Sequence, residues 1–140
     1  MSAGLRVSAI VLILALVGIF SPARAAGRWV AQSDAPTLRQ QGLRYDSATL
    51  SPNNSTPLSG NAITRVAWRY DYAGWRPREL VVQLCGGGRC VDASNARGQT
   101  TAFAGLPVAT PFRFNFRIQG PRAARTPLEG GALTLMVNFR

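Results

Sequence analysis

A chain of 140 residues with a formal net charge of +10 has room for one domain and a modest core, and too little for two. Its 16 basic residues are all Arg; without a single Lys or His, imidazole acid–base work, lysine Schiff bases and His-based zinc sites are excluded from the start. The charge itself favours anionic surfaces as partners and carries no information about fold.

The first element is a targeting segment. Arg6 is followed by an apolar run from Val7 to Phe20, broken only by Ser8 and Gly18, and then by Ser21, Pro22 and Ala23-Arg24-Ala25. A charged start, an apolar stretch of about 7–15 residues and an A-x-A site make a secretory signal peptide, whereas a bilayer span takes roughly 20 apolar residues. Residues 1–25 are therefore expected to be cleaved, leaving 26–140 as one exported domain with no stable membrane span. Loss of Arg6 and Arg24 lowers the formal charge from +10 to +8. Export, and the lack of any nucleic-acid module, argue against DNA or RNA as a partner.

Between Gly27 and Ser59 the pattern is weak. Leu38 to Tyr45 is a candidate strand, and Ser51-Pro52-Asn53-Asn54-Ser55 with Pro57 is a loop. From Ile63 the signal sharpens: Val66, Trp68 and Tyr70 alternate with Arg65 and Arg69, the period-2 signature of a half-buried strand. Gly74 and Pro77 break the chain, and Trp75, beside Arg76 and Arg78, falls in the loop between them. An aromatic there serves either as a binding residue or as an anchor for the turn.

Leu80 to Leu84 is the next strand, and Cys85-Gly-Gly-Gly-Arg-Cys90 follows it directly. In an exported chain, two cysteines read as a disulfide, and the count forces the pairing. The spacing is wrong for a C-x-x-C redox motif, and two thiols alone do not complete a zinc site. Triglycine supplies the positive φ angles of a tight hairpin, so the bridge is expected to clamp its mouth and fix strand register.

Thr100 to Ala104 is a further candidate strand, ended by Gly105 and Pro107. The cleanest alternation is Phe112, Phe114, Phe116 and Ile118 against Arg113, Asn115 and Arg117. After the Gly120-Pro121 turn, Leu133, Leu135, Val137 and Phe139 alternate with Thr134, Met136 and Asn138. No segment of 26–140 has a helical period. Short strands punctuated by Gly and Pro predict a small single-domain, all-β fold, an antiparallel sandwich or barrel with one hairpin disulfide. The expected core is Trp68, Tyr70, Val82, Leu84, the phenylalanines of 112–116, Leu135, Val137 and Phe139.

Catalysis finds little support. The six acids are Asp34, Asp46, Asp71, Glu79, Asp92 and Glu129, and none forms a recognisable pair; Asp71 and Glu79, flanking one turn, come nearest. No enzyme, cofactor or metal is expected. What remains is binding. Arg113 and Arg117 project from one strand and Arg65 and Arg69 from another, so that if the strands are neighbours four guanidinium groups share a surface. Arg makes forked contacts to carboxylate and phosphate, although the outward face of any amphipathic sheet is polar in the same way.

The ordered series Val66-Ala67-Trp68-Arg69-Tyr70, Leu84-Cys85, Arg89-Cys90-Val91, Gly98 with Thr100, Phe103-Ala104, Pro111-Phe112-Arg113-Phe114 and Val137-Asn138-Phe139-Arg140 resembles the flagellar protein FlhE family. The match runs from about Ile63 to Arg140, and Phe139 stands where the family tends to carry Tyr. The resemblance implies a periplasmic accessory of the flagellar system that limits proton leakage through the export apparatus, chaperones flagellar components, or both. Its implied partners are flagellar export or rod and hook proteins, met through a sheet edge or an Arg-bearing face. The competing expectation is a basic module or inhibitor that binds an anionic envelope surface such as glycan or lipopolysaccharide.

Overall fold

The strand from Phe112 to Ile118 shows how the sequence sets the architecture. Its four apolar side chains are buried, while Arg113 and Arg117 are exposed. A strand with one apolar face needs a second apolar surface opposite it. That surface comes from Val66, Trp68 and Tyr70 of one strand and Leu133, Leu135, Val137 and Phe139 of another, all buried.

The computed structural model describes residues 26–54, 58, 60, 62–73, 77–120 and 127–140, so the expected signal segment and Trp75 lie outside the described residues. Eight strands are present among those described: β1 (Gly27–Asp34), β2 (Tyr45–Asp46), β3 (Ile63–Tyr72), β4 (Leu80–Gly86), β5 (Arg89–Asp92), β6 (Arg97–Thr100), β7 (Phe112–Ile118) and β8 (Gly130–Phe139). They form two four-stranded antiparallel sheets, the first in the order β1-β8-β3-β6 and the second in the order β2-β7-β4-β5. Among the described residues each sheet keeps two open edges, so the fold is a sandwich and not a closed barrel.

Aromatic rings stitch the sheets together. Tyr70 of the first sheet meets Phe116 of the second edge-on, with centroids 5.4 Å apart, and Tyr72 meets the same ring at 5.8 Å. Edge-to-face geometry suits the ring quadrupoles and adds to the gain from burial. The polar tips of these side chains are satisfied by backbone carbonyls. The Trp29 indole donates to Val108, the Trp68 indole to Asn95, and the hydroxyls of Tyr70 and Tyr72 to Ala93 and Pro36 respectively. Burial without such acceptors costs about 1–3 kcal/mol per group.

Three expectations shift. Leu38–Tyr45 is not a strand: Leu38 makes only an isolated bridge to Leu128, and the chain pairs instead as β1 and the short β2. The strand placed at Thr100–Ala104 lies earlier, at β6, and residues 101–104 turn so that Phe103 drops into the core against Phe112, centroids 4.9 Å apart. Gly98 explains the earlier start, because a Cβ there would lie 2.4 Å from the Trp68 ring, which covers the strand at that point. Asp71, read with Glu79 as the flank of a turn, lies within β3.

The hairpin behaves as expected. Gly87 and Gly88 both have positive φ, 57° and 77°, the pair of left-handed residues of a two-residue type I′ turn. Cys85 and Cys90 face each other across β4 and β5 and are joined by a disulfide. Phe139 is a core ring, fully enclosed between the sheets' ends.

Candidate interaction surfaces

The two arginine pairs do not share a surface. Arg65 and Arg69 belong to β3 in the first sheet, whereas Arg113 and Arg117 belong to β7 in the second. Since the inner faces of both sheets are buried against each other, the two pairs point out of opposite sides of the sandwich. The strands are face-to-face partners rather than hydrogen-bonded neighbours, and alternation within a strand carries no information on which of these holds.

On the second sheet, the outward groups are largely occupied with one another. Arg113 donates to Thr49 Oγ1 at 2.7 Å. Arg44 and Asp46 form an ion pair at 2.8 Å, and Asp92 accepts from both the amide and the hydroxyl of Ser94. The disulfide lies on this side as well, with Arg113 directly opposite Cys85 in the β4–β7 register.

The first sheet is different. Register places Arg69 opposite Arg97 and Arg65 opposite Asn138, which in turn faces Arg28. Four guanidinium groups thus stand on one outer face, and none of them makes an ion pair or side-chain hydrogen bond among the described residues. Between the two arginine rows runs a third row, Val30–Met136–Ala67–Gln99, continuous across all four strands. Val30 is 43% exposed. An open depression of about 530 Å³ covers part of this face, lined by Ala67, Arg69, Arg97, Gln99, Thr134 and Met136, with the Trp68–Gly98 pair beneath. Arg28, Arg97, Val30 and Met136 escaped the sequence reading because only cross-strand register brings them together.

Acid–base chemistry has little to work with. Asp71 and Glu79 lie on different sheets or their margins: Asp71 on β3, and Glu79 in the turn before β4. Among the described residues no group of three or more His, Cys, Asp or Glu side chains is placed to hold a metal ion. At Tyr72, half-buried against the core, burial and secondarily the Tyr70 phenol push the hydroxyl well above the usual tyrosine range. No helix among the described residues is long and apolar enough to cross a membrane.

Comparison with known proteins agrees with this architecture. The family model for flagellar protein FlhE matches residues 35–140. Flagellar protein FlhE of Escherichia coli K12 is 36% identical over 129 residues, covering 92% of this chain and 97% of the relative. The Salmonella typhimurium LT2 protein of the same name is 33% identical with the same coverage. A solved structure titled "Crystal Structure of FLHE" superposes with a TM-score of 0.74 at 32% identity, covering 83% of this chain and 98% of that one. The match begins well before Ile63, so much of the weakly patterned stretch before it is part of the same likeness. With a sandwich of the same shape and sequence identity across nearly its full length, the chain belongs to the flagellar protein FlhE family.

Proposed function

We propose that this protein is a non-enzymatic periplasmic accessory of the flagellar system, exported by residues 1–25 and acting through protein contact. Membership of a flagellar family supports the setting. The observation that carries the mode of action is the first sheet's outer face, with four arginines, none with an acidic partner among the described residues, around a partly exposed apolar row. Such a face binds by shape and charge and needs no reactive group. Contact with an export, rod or hook protein in the periplasm would serve to limit proton leakage through the export apparatus or to chaperone components in transit.

The test is a clean gene deletion scored for swarming, flagellar location and cytoplasmic pH. Loss in any of these, restored by the full chain and not by one lacking residues 1–25, supports the reading. Acidification favours restraint of proton leak, and mislocated flagella with normal pH favour chaperoning. Normal values for all three overturn it. The same four arginines give a second reading some support, a module for anionic envelope glycan or lipopolysaccharide; it predicts salt-sensitive binding to purified lipopolysaccharide by the protein alone.

A further inference from the structure

The spacing of the rows on the first sheet says more about what they fit. Residues two apart along a strand are about 7 Å apart, so the arginine rows on either side of Val30–Met136–Ala67 are separated by about 13 Å. An α-helix with its side chains is about 10–12 Å across. The row runs perpendicular to the strands and crosses all four, apolar on β1, β8 and β3 and ending in Gln99 on β6, a path of about 14 Å at the usual interstrand spacing. That is the length of about ten helical residues. An extended peptide paired to a sheet edge would follow the strands instead, and its side chains would not meet this row.

Charge gives the flanks of the guest. On one side stand Arg69 and Arg97, directly opposite each other across β3 and β6. Like charges in that position repel, and here no carboxylate relieves them. On the other side stand Arg28 and Arg65, separated by Asn138. The acids of this face, Asp34 and Asp71, lie beyond the Arg69 row, at the Ala132 end of β8, away from the apolar row. A guest with an apolar stripe bordered on both sides by carboxylates would cover Val30 and Met136 and place anions between the opposed guanidinium groups.

We infer that the outer face of the β1-β8-β3-β6 sheet is a docking surface for an amphipathic helix whose apolar stripe is flanked on both sides by acidic residues. The inference deepens the functional reading above by naming the kind of partner segment. The two fail separately, because binding in solution requires no flagellum.

The probe is a synthetic, fluorescein-labelled helical peptide of about 18 residues, long enough to hold a helix in water, with a leucine and alanine stripe bordered by glutamate. A control peptide carries lysine in place of each glutamate. Anisotropy titration with the protein is expected to show saturable, salt-sensitive binding of the glutamate peptide only. Arg69→Gln with Arg97→Gln should weaken it about tenfold or more. Met136→Glu should weaken it comparably, and Arg113→Gln with Arg117→Gln should leave it unchanged. Thermal unfolding of each variant checks that it folds; should Met136→Glu unfold, Val30→Gln interrogates the same row. No binding by the glutamate peptide overturns the proposal. So does equal binding of the lysine peptide, or equal loss in the Arg113 and Arg117 variant. Capture by phosphatidylglycerol vesicles through the same residues, with no peptide binding, also overturns it and assigns the face to a membrane surface.

Discussion

The outer faces of the two sheets are built from the same residue types and differ in how far those residues pair with one another. On the second sheet, Arg44 is paired with Asp46, Asp92 holds Ser94, Arg113 holds Thr49, and a disulfide crosses the hairpin. On the first, Arg28, Arg65, Arg69 and Arg97 surround Val30 and Met136 without a carboxylate among them, and two of the arginines oppose each other. Polar groups that satisfy one another hold a surface in place, and groups left unsatisfied at a small cost remain available to something else. Charge count does not distinguish the faces; connectivity does.

Breaking the shared core removes the comparison altogether, and this is the largest effect. Phe116→Ala deletes the ring that meets both Tyr70 and Tyr72, and should cost about 3–5 kcal/mol in urea unfolding, a large part of a small domain's stability. Next comes the device peculiar to the second face. Replacing Cys85 and Cys90 together with Ala should lower stability by about 2 kcal/mol, the loop-closure value for so short a span, while leaving peptide binding at the first face intact.

A third change separates core from surface. Tyr72→Phe removes the hydrogen bond to the Pro36 carbonyl and should cost about 1 kcal/mol at neutral pH. The Tyr72 phenol is raised in the folded state, so above about pH 10 the unfolded chain loses this proton first. The folded state then holds more protons, and stability falls as pH rises through that region. Urea midpoints at neutral and alkaline pH should therefore show the gap between wild type and Tyr72→Phe narrowing as the pH climbs.

The smallest effect sharpens the contrast most. Arg97→Glu turns a repelling cross-strand pair into an attracting one, and should stabilise the domain by about 0.2–1 kcal/mol, read as a small rise in the urea midpoint. The same change should weaken the acidic peptide. Arg117→Glu on the other face should do neither.

Much of this fold was legible because β7 and β8 bury a large apolar side chain at every second position. β1 was not, for a physical reason. Of its inward residues only Trp29 is large and buried; Ala31 and Ser33 are small, while the β-branched Val30 points outward. The period is present in the structure and nearly silent in the sequence. β6 was misplaced for two related reasons. Gly98 has no side chain to mark the inward position under Trp68, and Phe103, which looks like a strand residue, fills the core from a turn. The hairpin disulfide was readable because two cysteines allow a single pairing. The arginine face was not, since its membership depends on which strands are neighbours. Alternation gives the face of each strand, and the order of strands is decided by contacts between segments far apart in the chain.

The position of β8 at the centre of the first sheet has a kinetic consequence. It is flanked by β1 and β3, so the earliest strand of the domain waits for the last one to find its partner. A ribosome delivers the chain from its N-terminal side, so Gly130–Phe139 emerges after the other seven strands. Until then β1 is unpaired, β3 is paired on its β6 side alone, and the inner face of the second sheet lacks the centre of the sheet it packs against. Closure of loops this long is slow for β-proteins, on the order of milliseconds to seconds. The domain should therefore fold in one late, cooperative step once β8 has emerged, with its exposed edges in need of protection until then.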